Sequence, residues 1–289
     1  MIVPWHSQRV HVAIVVGMTE RHRRVMQVAA GGAVTWRSDD LSTEEPLEIR
    51  IGETSLSVTM RTPGEDFDLV AGFLITEGIV RSSSEIVAMR MCPEAAASTG
   101  ELNIVEVTLS AAASARDVTP RAFYMTSSCG MCGKASIEAV RTKSLYDVAG
   151  DPLRVSPALL LGLPALQRSA QRQFARTGGL HAAALFDSAG VLLCLREDVG
   201  RHNAFDKVIG WAATQGLLPL RSHIILASGR ASFELTQKAL MAGIPLLAAV
   251  SAPSSLAVEL ASDSGMTLIG FLRGEQMNVY AGHERIIRE

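Results

Sequence analysis

"HIILASGRASFELTQKALMAGIPLLAAVSAPSSLAVELASDSGMTLIGFLRG", residues 223–274, decides the fold. A short apolar run, "HIILASG", breaks at Ser-Gly-Arg and gives way to "FELTQKALMAG", where apolar residues recur at helical spacing. The pattern repeats at once, with "PLLAAVSAP" followed by "SSLAVELASDSG", and a third run, "TLIGFLRG", closes it. Just upstream, "HAAALFD" and "VLLCLRED" read as strands and "NAFDKVIGWAATQG" as a helix. Strand, turn and helix in this order predict a layered α/β domain whose ligands meet the carboxyl ends of the strands. No self-similarity at a solenoid period interrupts that reading.

Upstream of Pro120 the texture is different. "LEIRIGETSLSVTMRT" alternates apolar and polar around a Gly-Glu turn and predicts a hairpin. "PGEDFDLVAGFLITEGIV" sets Phe67, Val70, Ala71, Leu74 and Ile75 at helical spacing behind first-turn acids. "NIVEVTLS" reads as a strand, and "CPEAAASTGE" before it as a surface loop holding an ordinary thiol, Cys92. The expected organisation is an irregular Arg-rich extension over 1–43, a small α+β domain over 44–119, and the α/β domain over 120–289.

The 289 residues are 48% hydrophobic with a net charge of −2. That suffices for a sizeable core and gives no basic excess of the kind a nucleic-acid binder shows. The runs "IPLLAAVSAP" and "ALLLGLPAL" are too short and Pro-broken to span a bilayer. The opening "MIVPWHSQRVHVAIVVGM" places its basic residues after the apolar stretch, the reverse of a secretory signal. The expected location is the cytoplasm, where a close cysteine pair serves a metal or a reaction more readily than a structural disulfide.

That pair is "SSCGMCGKAS", Ser127 to Ser136. Ser127 or Ser128 would cap a helix through "GKASIEAVRT", setting Cys129 at its positive end with Lys134 nearby, conditions that favour thiolate. Cys132 would then resolve or shield it. Two other readings stay open, two small buried residues or a thioredoxin-like redox pair, the latter without its usual aromatic and proline context. A structural zinc site wants a second CxxC or a His pair, and neither is present. A zinc deaminase wants a His-x-Glu, and the nearest match, His181 to Ala183, has alanine in place of that glutamate. No metal site is expected.

Three junctions follow the strands. "REDVGRHNAFDKVIG" crowds Asp198, Arg201, His202, Asn203, Asp206 and Lys207 into one strand-to-helix turn. It is either a solvated loop or a ligand edge, with Arg201 on phosphate and Asp198, Asn203 or Asp206 pairing with a base or ribose. "ASGRASFELTQ" offers Ser228, Gly229 and Arg230 before a helix start, ready for an anion but without Walker spacing. In "GFLRGEQMNVY", Phe271 and Arg273 either stack on a nucleotide or flank a plain hairpin turn at Gly274. A lone histidine at a strand start, such as His181, is more often structural than catalytic, but the double glycine before it favours a close ligand.

These motifs together resemble the FdhD family of sulfurtransferases, which formate dehydrogenase needs for activity. The resemblance runs from "EEPLEIRIG" to "MNVYA" and rests on "SSCGMCGKAS", "TGGLHAAAL", "REDVGRHNAFDKVIG", "SGRASFELTQKALMAGIP" and "LIGFLRGEQMNVYA" in that order. It implies a cytidine-deaminase-like α/β domain with a smaller N-terminal domain, usually in a homodimer. It implies that a cysteine desulfurase loads sulfur as a persulfide on Cys129, partnered by Cys132. The sulfur then passes to the molybdenum of the bis-molybdopterin guanine dinucleotide cofactor before insertion into apo-formate dehydrogenase, and GDP stands as a fragment of that ligand. The family's cofactor-contacting segment falls on Phe271, Leu272, Arg273, Gly274, Glu275 and Gln276. Two rival expectations are a cofactor chaperone that transfers no sulfur and a zinc-dependent hydrolase of deaminase-like fold.

Overall fold

The computed structural model describes residues 3–4, 20–92, 103–115, 123–125 and 144–287. In chain order the first half contains β1 (Val3–Pro4), β2 (Glu20–Val28), β3 (Val34–Ser42), β4 (Glu45–Ile51), β5 (Thr54–Arg61), α1 (Asp66–Thr76), β6 (Ile86–Met91), β7 (Ile104–Leu109), α2 (Ala111–Ser114) and β8 (Phe123–Met125). Then follow α3 (Pro157–Ala170), α4 (Arg172–Thr177), β9 (His181–Phe186), β10 (Leu192–Asp198), α5 (Arg201–Thr214), β11 (Ile224–Ala227), α6 (Phe233–Met241), β12 (Leu246–Ala249), α7 (Ser255–Asp263), β13 (Thr267–Arg273) and β14 (Gln276–Ala281). The mixed α/β class expected from the sequence is the one observed.

Two six-stranded sheets dominate, in orders β1-β6-β7-β4-β5-β8 and β10-β9-β11-β12-β13-β14. In the second sheet β9 runs antiparallel to both β10 and β11, while β11, β12 and β13 run parallel. Strands β10 to β13 therefore point the same way and end on one edge. Their sequences read as unbroken apolar runs because both faces are covered. Ala183, Leu185, Ile225, Ala227, Leu247 and Ala249 face the main core, and Ala184, Phe186, Ile224, Leu226 and Ala248 face a second cluster with Leu160 and Leu163 of α3.

The main core is shared by both sheets. Leu47, Ile49, Val105 and Val107 of the first sheet join Leu69 to Ile75 of α1 and Ala204 to Ala213 of α5 in one cluster. The spacing in α1 predicted a single apolar face, yet Leu69 to Thr76 are all buried. The reason is α5, which covers the side that would otherwise meet water. Gly72 and Gly210 let the two helices touch backbone to backbone, since a Cβ on either would stand 1.8 Å from a carbonyl oxygen of the other helix. β8, from beyond the 119/120 boundary expected from sequence texture, pairs with β5 of the first sheet.

The stretch expected to be an irregular extension contains a hairpin. β2 and β3 pair over nine positions around Gly32, whose φ is +80°. Its base is tied to α4, where Ser42 Oγ donates to Thr177 Oγ1 at 2.7 Å, and His22 contacts Asp40 across the hairpin itself. Its far end is exposed, with Met26, Val28, Val34 and Trp36 all more than half accessible. With no core beneath it, the alternation that marks a strand is not imposed on its sequence. Among the described residues, no helix is long and apolar enough to cross a membrane.

Candidate functional site

Because β10, β11, β12 and β13 end together, the helix starts that follow Asp198, Ser228 and Ala252 converge on one edge. Backbone hydrogen bonds stitch that edge across the strands. His181, the first residue of β9, is the register partner of Asp198, the last of β10. Ser228 N donates to Ala182 O at 3.0 Å, and Ser228 Oγ accepts from Ala182 N at 2.8 Å. Ser251 N donates to Gly229 O at 3.3 Å, and Phe271 N donates to Ser251 O at 3.1 Å. His181, Ser228, Gly229 and Phe271 therefore stand along one line. Gly229 packs on the imidazole of His181, with a Cβ position 3.4 Å from Nδ1.

The crowded junction after β10 divides into inward and outward residues. Asp198 is fully buried, and its carboxylate accepts from Thr62 N at 3.1 Å, Gly200 N at 2.8 Å, Asn203 Nδ2 at 3.0 Å and Lys207 Nζ at 2.9 Å. Asn203 also donates to Met60 O at 2.7 Å and accepts from Thr59 Oγ1 at 3.2 Å. Asp206 faces α1 and α6, accepting from Thr76 Oγ1 at 2.8 Å and Lys238 Nζ at 2.9 Å. Burial raises its carboxyl from the usual range, and Lys238 opposes that rise. The expectation that Asp198, Asn203 and Asp206 read a base or ribose is thus corrected: these groups are spent on joining the two halves. A buried charge must be paired, and the partners come from segments far away in sequence.

Arg201 and His202, on the first turn of α5, are the outward pair. Gly200 caps this helix without a side-chain bond, so its first N–H groups remain available. Arg201 Nε and His202 Nε2 are buried and have no hydrogen-bond partner among the described residues. His202 Nε2 lies 3.9 Å from Glu234 Oε2. The imidazole, assisted by groups at the start of α6, holds the Glu234 carboxyl down at about 2 against partial burial. Burial lowers the His181 pKa, and Arg201 and His202 lower it further, while Asp198 opposes them. His181 is therefore a neutral ring near pH 7, able to donate or accept. Arg230 is exposed at the β11–α6 turn, and Ser232 caps α6 by accepting from Leu235 N.

The last junction is a hairpin. Arg273 pairs with Gln276 across Gly274 and Glu275. Gly274, at φ +61°, supplies the turn geometry, and the tip residues Arg273 to Gln276 are exposed. Phe271 sits in the left-handed region at φ +52°, inside a bulge between Gly270 and Arg273. Strain of this kind persists where surrounding structure holds it. Here Pro253 Cδ and Tyr280 Cε2 would lie 2.8 Å and 3.0 Å from a Cβ on Gly270. The Arg273 guanidinium lies 5.5 Å from the Phe271 ring centre. Leu272 points the other way, into the α3 core cluster, and cannot meet a ligand. The hairpin-turn reading of this segment is the one observed, with Phe271 and Arg273 side by side at its base.

Sequence reasoning missed α3 and α4. Ser156 caps α3 by accepting from Leu159 N, and Pro157 stands in its first turn, a start signal present in the sequence. These helices wall a cavity of about 630 Å³ at the strand ends, bordered by Arg168, Phe174, His181 and Ser228. Cys129 and Cys132 lie outside the described residues.

Residues 42–287 match the model of the FdhD/NarQ family. The chain is 56% identical over 271 residues to the sulfur carrier protein FdhD of Mycolicibacterium paratuberculosis, covering 91% of this chain and 97% of the relative. It is 54% identical over 272 residues to that of Streptomyces avermitilis, covering 93% and 96%. The crystal structure of a candidate formate dehydrogenase accessory protein from Desulfotalea psychrophila matches with a TM-score of 0.72 at 23% identity, covering 93% of this chain and all of the other. That last likeness speaks for the fold.

Proposed function

The chain belongs to the FdhD/NarQ family, and on that premise we propose that it is a cytoplasmic sulfur carrier that makes formate dehydrogenase active. The observation that carries the reading is the similarity, over more than nine-tenths of the chain, to proteins described as sulfur carriers. The donor is a cysteine desulfurase bearing a persulfide. Cys129 attacks as thiolate on the terminal sulfur of that persulfide. One S–S bond forms, the donor's S–S bond breaks, and the donor thiolate leaves, so there is no net oxidation. Cys132 assists. The sulfur is then delivered to the molybdenum of the bis-molybdopterin guanine dinucleotide cofactor, the substrate of the second step, and two copies of the chain work as a homodimer.

Two features support placing both steps at the carboxyl edge. Met125, the last residue of β8, is the register partner of Thr59, whose hydroxyl donates to Asn203 on the first turn of α5 at 3.2 Å. Cys129 is four residues further along the chain, a tether of at most about 14 Å. The edge itself presents His181, Arg201, His202, Ser228, Gly229 and Arg230 beside uncapped N–H groups, a setting that suits phosphate. Residues Phe271 to Gln276 complete it, except Leu272.

The test is intact mass after incubation with a desulfurase and cysteine. The wild-type chain should gain about 32 Da, one sulfur atom carried by an activated thiol. Cys129→Ala should gain nothing and should fail to restore formate dehydrogenase activity in cells lacking the protein. Full activity of that variant overturns the reading.

A further inference from the structure

The β2–β3 hairpin stands outside the stretch shared with the family: the match covers residues 42–287, and β3 ends at Ser42. Along residues 25–36, "VMQVAAGGAVTW", no side chain carries a charge. The register pairs Met26 with Trp36 and Val28 with Val34, so these four share one face of the ribbon. All four are more than half accessible. Val25, Gln27 and Thr35 occupy the other face, and Ala29, Ala30, Gly31, Gly32 and Ala33 make the turn. The end of the hairpin is therefore uncharged on both faces and at its tip, where a turn in water ordinarily carries Asn-Gly or Asp-Gly. Directly behind it the chemistry changes. Arg24 adjoins the apolar face, its guanidinium 5.3 Å from the Trp36 ring centre, and Arg23 lies on the opposite face. Arg21 and Arg37 meet Glu45 and Asp39 at 3.3 Å each, whereas Arg23 and Arg24 make no ion pair among the described residues.

A groove on a partner protein would cover one face of such a ribbon and leave the other in water, where charge is expected. An uncharged end, an indole behind it and then arginines are instead the groups that suit a passage from acyl chains to anionic headgroups. The dimensions agree. Four residues separate Arg24 from Val28, about 14 Å at strand rise. An interfacial element is buried by about 5–10 Å, and the hydrocarbon core is about 30 Å thick. The hairpin is long enough to enter and too short to cross. Its two strands have no third strand beside them among the described residues, and their outer backbone groups need water, which keeps the entry shallow. A second copy of the chain fits less well. One face of a ribbon nine pairs long offers about 300 Å², against about 800 Å² per partner in a stable complex.

We infer that the β2–β3 hairpin seats the protein reversibly on an anionic membrane surface, with Met26, Val28, Val34 and Trp36 in the interface and Arg23 and Arg24 on lipid phosphates. The inference goes beyond the sulfur-carrier reading and does not rest on it. The base of the hairpin is bonded to Thr177, and the next two residues, Gly178 and Gly179, line the cavity at the strand ends. A seated molecule therefore holds its carboxyl edge within about 30 Å of the lipid, the length of nine residues of strand.

The experiment is co-sedimentation of the full-length protein with vesicles of phosphatidylglycerol and phosphatidylcholine in equal parts, and with vesicles of phosphatidylcholine alone. Binding to the anionic vesicles should be about 30-fold tighter than to the neutral ones, for two arginines at the headgroups. Arg23→Gln with Arg24→Gln should bring it down to the neutral level. Met26→Ser with Trp36→Ser should weaken binding to both vesicles by at least about tenfold. Tryptophan emission should move to shorter wavelength on anionic vesicles in the wild type and not in Trp36→Phe. The four apolar side chains are exposed, so these variants should melt at the wild-type temperature. No binding by the wild type, or undiminished binding by Met26→Ser with Trp36→Ser, would overturn the inference. So would a wild type that ignores vesicles but falls from dimer to monomer in that double variant, which would make the face a contact between copies. The mass gain at Cys129 should be unchanged in every hairpin variant, so the sulfur-carrier reading is judged separately.

Discussion

Gly72 of α1 and Asp206 of α5 meet backbone to backbone: a Cβ on Gly72 would stand 1.8 Å from the Asp206 carbonyl oxygen and 2.5 Å from its carbon. The contact is reciprocated by Gly210 against Asp68 O, also at 1.8 Å. Gly72→Ala and Gly210→Ala should each cost about 3 kcal/mol, the upper end of what overpacking costs, since the obstacle is backbone and cannot step aside as a side chain does. Urea denaturation checks this, and a loss below about 1 kcal/mol would mean that the helices separate freely.

Gly162 of α3 is the counterpart, exposed in mid-helix with nothing within 4 Å of its Cβ position. Gly162→Ala should stabilise by roughly 0.5–1 kcal/mol through restricting the unfolded chain. The same denaturation series measures it.

Asp198 and Lys207 are both fully buried and 2.9 Å apart. Lys207→Met strands a carboxylate and should cost about 3–5 kcal/mol, whereas Asp198→Asn with Lys207→Met should recover part of that loss. A double variant no more stable than Lys207→Met would show that the pair is not the main partner of either group.

His181 titrates below its ordinary 6.5 because of burial and of Arg201 and His202. Below 6.5 the unfolded chain takes up a proton that the folded one resists. Stability should therefore be level above pH 6.5 and decline as pH falls from there toward the folded pKa. His181→Asn should remove that part of the decline. Thermal midpoints across this range test it, and an NMR titration placing His181 at or above 6.5 would contradict it.

Arg230, exposed at the β11–α6 turn, is free to hold phosphate. Arg230→Ala should weaken GDP binding by about tenfold, about 1.4 kcal/mol, with no change in melting temperature. Unchanged affinity would place the phosphates elsewhere on the edge.

The order of strands and helices after residue 180 was legible because buried strands such as "IILA" and "LLAA" announce themselves by unbroken apolar character. Convergence of the helix starts followed from the expectation of parallel strands. The roles of Asp198, Asn203 and Asp206 were not legible. A run of charged residues looks solvated until its partners are known, and Thr62, Met60 and Thr76 lie more than a hundred positions away. The β2–β3 hairpin escaped notice because no core beneath it enforces alternation. Arg168 and Phe174 carry no motif, and only the cavity that they border reveals them.

The glycine contact between α1 and α5 also decides what kind of machine this can be. Sliding helices past one another is eased by side chains that hop between rotamers, and at Gly72 and Gly210 there is no side chain to do so. A displacement of one residue would drive Ala71 or Phe73 into the carbonyl that Gly72 clears. The two helices therefore meet at a fixed register, with Gly72 and Gly210 each lying against a carbonyl of the other helix. That register ties the core of the first sheet to the helix start after β10, so a change at the carboxyl edge is felt across the seam between α1 and α5.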